Sequence, residues 1–122
     1  WRYCSGFNYD DDFIDGFTQT HLNGTGLPDL GDILLLPFCS ELPDSAYKSR
    51  FNKNSQKASA GYYSVSLTDA NVDVELTATP HTAFHKYLFK NGSPRILLDL
   101  QRGLINSMER LHTHVLNANV SM

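Results

Sequence analysis

The chain has 122 residues, of which 41% are hydrophobic and 19% charged, with a formal net charge of −3. That length allows one domain with a modest core, and the composition is that of a folded chain, not a disordered one. The acidic balance and the lack of a basic patch argue against an electrostatic nucleic-acid footprint, and no apolar run approaches the ~20 residues of a membrane-spanning helix.

The chain opens on Trp1-Arg2-Tyr3, which is not a basic start followed by an apolar run, so no signal peptide is expected. It has no initiating methionine and begins in aromatic sequence, which suggests a processed or cut fragment. Trp1, Tyr3 and Phe7 form an aromatic cluster, which is more often core than a stacking surface for a ligand. Cys4 and Cys39 are the only cysteines. They are expected to be reduced and partly buried; a disulfide between them needs a geometry that sequence does not supply. Asp10-Asp11-Asp12 invites a calcium reading, but Ile14 stands where an EF-hand loop needs an Asp or Asn, so a solvated acidic turn is expected.

Gly16 to Asp32 is a polar, glycine-rich stretch that runs straight into Ile33-Leu34-Leu35-Leu36-Pro37-Phe38, an apolar run expected to form a strand. Loops held on such a scaffold are where binding groups usually sit. Gly24 and Gly26 allow positive φ or a close backbone approach. Phosphate-loop readings fail here: Gly31 falls at the wrong spacing, no Walker lysine follows, and the next element is a strand where a dinucleotide loop needs a helix. Without further information a tight surface turn is the commoner meaning of such a loop.

From Pro43 to Lys57 the sequence is polar and is expected to be a long loop with one helical turn. Strands then follow quickly. Tyr62–Leu67 leads through the turn Thr68-Asp69-Ala70-Asn71 into Val72–Thr79, whose alternation of apolar and polar residues marks a half-buried antiparallel strand. Thr82–Phe89 is aromatic and strand-like. Asn91-Gly92 is a hairpin signal, which predicts that Arg95–Leu100 returns as a buried strand. Leu104, Ile105, Met108 and Leu111 lie at helical spacing in a segment only about two turns long. His112–Val120 suits a further strand. Short strands with turns about every ten residues predict an all-β fold, an antiparallel β-sandwich with one short helix.

Chemistry is harder to place. General acid–base chemistry uses paired carboxylates. Asp29 and Asp32 are the best local pair, but Asp beside glycine commonly caps turns. No Gly-x-Ser-x-Gly elbow is present, and His81, His112 and His114 show no zinc spacing. Asn23-Gly24-Thr25 and Asn119-Val120-Ser121 match glycosylation acceptors.

Three blocks, in order, carry a resemblance. Gly16-Phe17-x-x-Thr20-His21-Leu22-x-Gly24-Thr25-Gly26-x-x-Asp29-x-Gly31-Asp32 comes first. Tyr47-Lys48-Ser49-Arg50-Phe51 with Lys57-Ala58-Ser59-Ala60-Gly61-Tyr62-Tyr63 comes second. Val74-Glu75-Leu76-Thr77-Ala78-Thr79 with Phe84-His85-Lys86-Tyr87 comes third. Together they resemble the amino-terminal domain of glycoside hydrolase family 92, bacterial exo-α-mannosidases, over about Trp1 to Leu100.

The resemblance implies that residues 1–122 are a β-sandwich domain, or part of a larger supersandwich-type domain. It also implies an inverting, calcium-dependent parent enzyme whose metal and catalytic carboxylates lie on a separate carboxy-terminal (α/α)6 domain that this chain lacks. The chain then supplies one wall of a pocket for α-mannoside glycans and is inactive alone. No catalytic residue, metal ligand or cofactor is expected within it. The substrate-facing candidates are His21, Gly24, Thr25, Gly26, Asp29, Asp32, Arg50 and His85. The first four face sugar hydroxyls, and Asp29 and Asp32 position the loop. Arginines more often pair on the surface, and His85, in an alternating strand, has a structural reading beside its functional one. A periplasmic or cell-surface location in a bacterium follows from the resemblance, as does self-association through unpaired edge strands. The competing readings are a stand-alone lectin-like sandwich and a purely structural domain.

Overall fold

The computed structural model describes residues 8–18, 33–39, 47–100 and 119. Within them the chain forms nine strands and one 3-10 turn: β1 (Phe13–Ile14), β2 (Phe17–Thr18), β3 (Leu34–Phe38), β4 (Ser49–Arg50), the 3-10 turn Lys53–Ser55, β5 (Lys57–Ser59), β6 (Tyr62–Leu67), β7 (Val72–Ala78), β8 (Ala83–Phe89) and β9 (Arg95–Asp99). The predicted helix over 104–111 and the strand over 112–120 lie outside the described residues, Asn119 apart. Two compact units are present. One comprises Asp10–Phe17 and Leu35–Leu97, the other Trp1–Tyr9, Thr18–Leu34 and Leu98–Met122.

The antiparallel β-sandwich is the architecture found. A four-stranded sheet has the order β5-β6-β7-β8, a three-stranded sheet the order β2-β3-β9, and β1 pairs with β4. In the larger sheet β7 is central, running antiparallel to β6 from Leu67↔Val72 to Tyr62↔Thr77 and to β8 from Val72↔Phe89 to Ala78↔Ala83. Residues directly opposite share a face. One face therefore carries Val65, Leu67, Val72 and Val74, which are buried together with Phe17, Leu36 and Cys39. Those seven side chains and Ala70 form the core cluster among the described residues.

The turns explain the register. Thr68–Asn71 joins β6 to β7, and Asn71 takes φ +56, a left-handed conformation that Asn tolerates better than most residues. This turn is a hub. The Cys39 amide donates to the Ala70 carbonyl at 2.9 Å, the Lys90 amide to the Asn71 carbonyl at 3.0 Å, and the Ala70 amide to Ser49 Oγ at 3.2 Å. Ser49 is the buried polar residue among those described, and its Oγ also donates to the Arg50 carbonyl at 2.8 Å. Between β7 and β8, the Thr79 amide donates to the Thr82 carbonyl at 2.8 Å, closing the loop around Pro80 and His81.

The structure adds and corrects elements. The loop expected up to Lys57 contains β4 and the 3-10 turn, where Asn52 caps by accepting the Asn54 amide at 3.0 Å. Directly after it comes β5, which pairs Ser59 with Tyr62 across Ala60-Gly61, Gly61 taking φ +73. All three residues of β5 are exposed, so no apolar alternation marks them.

Alternation also overstates β7, whose far end at Thr77 and Ala78 is exposed. The larger correction is β9. It does not return beside β8 as a hairpin but joins the other sheet next to β3. Nor is it buried: Arg95 and Ile96 are exposed and the rest of the strand is half-buried. The cause is local. Gly92, at φ +78, sits against the Cys39 carbonyl so closely that a Cβ would lie 2.5 Å from the oxygen. Asn91-Gly92 thus turns the chain from one sheet to the other.

Candidate functional site

Six of the eight candidate residues, His21, Gly24, Thr25, Gly26, Asp29 and Asp32, lie outside the described residues, as do Trp1, Tyr3, Cys4 and Phe7. Arg50 and His85 are described, and they occupy different elements with different surroundings.

His85 lies in β8, on the face turned toward the core. The period of two in His85-x-Tyr87-x-Phe89 puts three rings on one side of the strand, and each touches the next edge to face. The ring centroids are 5.8 Å apart for His85 and Tyr87, and 6.3 Å for Tyr87 and Phe89. Phe17, from β2, packs edge-on against His85 at 6.4 Å. His85 Nδ1 and the Tyr87 hydroxyl form a 2.7 Å hydrogen bond. Burial shifts both groups toward their neutral forms: His85 falls below its ordinary value, and the Tyr87 hydroxyl is pushed up to about 12. At neutral pH this is an uncharged imidazole, oriented by a phenol and braced by aromatic edges. It can hold and direct a hydrogen bond. Tyr87 is the partner that sequence reasoning left out, although the i, i+2 spacing on a strand placed it beside His85.

Arg50, in β4, is committed to Asp69 in the hub turn. Its Nε lies 3.1 Å and 3.2 Å from the two carboxylate oxygens and its terminal nitrogen 2.9 Å from Oδ1, while its amide donates to Oδ2 at 3.0 Å. This two-pronged bond raises Arg50 and, with the amide bond, holds Asp69 below the ordinary carboxylate range. Arg50 therefore anchors β4 to the β6–β7 turn.

In the acidic run at Asp10–Asp12, Asp12 pairs with Lys53 at 3.0 Å. Among the described residues, no three His, Cys, Asp or Glu side chains are grouped to hold a metal ion. Cys39 is a buried free thiol whose Sγ donates to the Asn71 carbonyl at 3.4 Å. No described helix is long and apolar enough to cross a membrane.

Comparison with known proteins supplies the context for this geometry. Residues 1–121 match the glycosyl hydrolase family 92 N-terminal domain. No curated protein matches. Among solved structures, the chain is similar to the family GH92 alpha-mannosidase BT3965 from Bacteroides thetaiotaomicron, with a TM-score of 0.76 and 33% identity. The match covers 83% of this chain and 15% of that one. The same enzyme in complex with mannoimidazole matches with the same TM-score, identity and coverage. The chain thus spans about 15% of the length of these solved relatives.

Proposed function

This chain belongs to the glycosyl hydrolase family 92 N-terminal domains, and from that membership we propose that it forms one wall of the substrate pocket of an inverting, calcium-dependent α-mannosidase. The observation that carries the reading is the match over residues 1–121 in a chain that spans 15% of a solved family mannosidase. The substrates are α-linked mannosides of glycans. The enzyme works in the periplasm or at the surface of a bacterium.

In this reading the acid and base carboxylates, with the water between them, belong to the carboxy-terminal helical domain. Calcium belongs there too. No step in this chain passes through it. The chain's own contribution is binding. His21 and the loop Gly24-Thr25-Gly26 face sugar hydroxyls, and Asp29 and Asp32 position that loop. His85, neutral and held by Tyr87, provides a directed hydrogen bond whose strength does not depend on charge near neutral pH. Arg50 keeps β4 and the hub turn in register. An isolated chain of this kind self-associates along its outer strands, which among the described residues of the larger sheet are β5 and β8.

Release of mannose from α-linked mannobiose, with calcium present, tests the reading on the 122-residue chain and on the longer product of its natural gene. Activity is expected only in the longer product. Activity in the 122-residue chain overturns the assignment and returns attention to Asp29 and Asp32 as acid and base. Tight binding of mannosides by the short chain, with no activity in the longer product, favours a lectin-like sandwich instead.

A further inference from the structure

The outer face of the four-stranded sheet has an organisation that neither the core nor the proposed pocket uses. Cross-strand register places Ser59, Tyr62, Thr77 and Phe84 in one row across β5, β6, β7 and β8. Tyr62 and Phe84 are exposed, at 38% and 63%, on a face where water contact is costly for rings of that size. They stand two strands apart, about 10 Å at the usual strand spacing, with the small Thr77 between them. The hydroxyl of Thr77 donates to the Gly61 carbonyl at 2.7 Å, which keeps the floor of the row low.

The neighbouring rows are nearly charge-balanced and, apart from the exposed Leu88, polar. Glu75 accepts from Lys86 at 2.9 Å and from the Tyr62 hydroxyl at 3.1 Å. Asp73 pairs with Lys90 at 2.6 Å and accepts from Ser66 at 2.5 Å. Two acids and two of the face's three lysines therefore cancel, leaving Lys57 on the outermost strand. A charge-balanced face complements an uncharged ligand. A protein partner laid over it would strip water from both ion pairs, which costs more than it returns. Sugar hydroxyls instead replace that water bond for bond, while pyranose C–H faces cover the rings.

We propose that this face is a second, non-catalytic glycan platform, on which the Tyr62 and Phe84 rings stack on sugars of a neutral oligosaccharide that bridges Thr77. The Tyr62 ring is pre-oriented by its bond to Glu75, so binding orders little that is not already ordered. The choice of mannan as probe rests on the mannosidase reading, whereas the platform itself rests on the row of side chains.

The test uses the full natural polypeptide that contains these residues, run in native gels containing α-mannan, with a neutral β-glucan as a second probe. Wild type is expected to be retarded by at least one of the two. Y62A/F84A should weaken that retardation about tenfold or more. L88A, which removes an equally exposed apolar side chain from the same face outside the row, should leave it unchanged. Mannose release from α-mannobiose is measured in parallel and should stay the same in all variants. Thermal unfolding checks that each variant is folded. The proposal is overturned if wild type is retarded by neither polysaccharide, if Y62A/F84A is retarded like wild type, or if L88A weakens binding as much as the double variant. Loss of mannose release in wild type, with retardation intact, would sink the mannosidase reading and leave the platform standing.

Discussion

Gly92→Ala offers the sharpest test of how the two sheets are joined. Gly92 sits at φ +78, and a Cβ built on it would meet the Cys39 carbonyl oxygen at 2.5 Å and the carbonyl carbon at 3.5 Å. Gly61 is the internal control: its φ is +73, but nothing lies within 4 Å of its Cβ position. Placing a non-glycine residue in the left-handed region costs about 1–2 kcal/mol, and the stiffer unfolded chain returns about 0.4–1 kcal/mol of that. Gly61→Ala should therefore destabilise by about 1 kcal/mol. Gly92→Ala carries the same backbone cost plus the displacement of a backbone carbonyl whose residue is itself held by the Ala70 carbonyl through the 2.9 Å Cys39 amide bond. Forced overpacking of this kind costs about 1–3 kcal/mol more, for a total of about 2–4 kcal/mol. Urea unfolding followed by fluorescence, with both variants compared at a common m-value, measures the difference. Equal destabilisation by the two substitutions would refute the claim that close contact with Cys39 drives the crossover to β9.

Three further outcomes follow from the described geometry. Ser49→Ala should destabilise by about 1–3 kcal/mol in the same assay, because it strands the buried Ala70 amide without an acceptor; a loss below about 0.5 kcal/mol would mean that another acceptor takes over. His85 has a lowered folded-state pKa, so the unfolded chain binds its proton first. Its contribution is complete above the unfolded value of 6.5 and is lost as pH falls from there toward the folded value. His85→Phe should flatten that acid limb, and an unchanged limb would place the titration elsewhere. Tyr87 has the opposite sense. Its contribution is full below 10.0 and is lost as pH rises toward about 12, so Tyr87→Phe should resist alkaline unfolding more than wild type does in pH-jump denaturation.

The two described candidate residues divide along their local chemistry. His85 was marked as structural or functional by the alternation of β8, and the same period of two placed Tyr87 beside it. What the pattern left open was depth, because the edge contact that half-buries the imidazole comes from Phe17, far away in sequence. Arg50 carries no comparable signal. Its partner Asp69 is 19 positions away and becomes adjacent only once β4 lies beside the β6–β7 turn. The outer-face row was equally hidden. Tyr62, Thr77 and Phe84 belong to three separate strands, and only the register of β6, β7 and β8 aligns them.

Sequence alone determined the family, the all-β class and the central strands β6, β7 and β8. These properties follow from local alternation, turn chemistry and motif identity, which are written within a few residues of one another. Tertiary structure decided where β9 pairs, that β5 exists, and what Arg50 binds. Asn91-Gly92 can close a hairpin or release the chain to another sheet, and its own sequence does not choose between them. The Cys39 carbonyl, 53 positions earlier in the chain, occupies the space beside Gly92 and makes that choice, because two backbones can approach this closely only where one of them carries no Cβ.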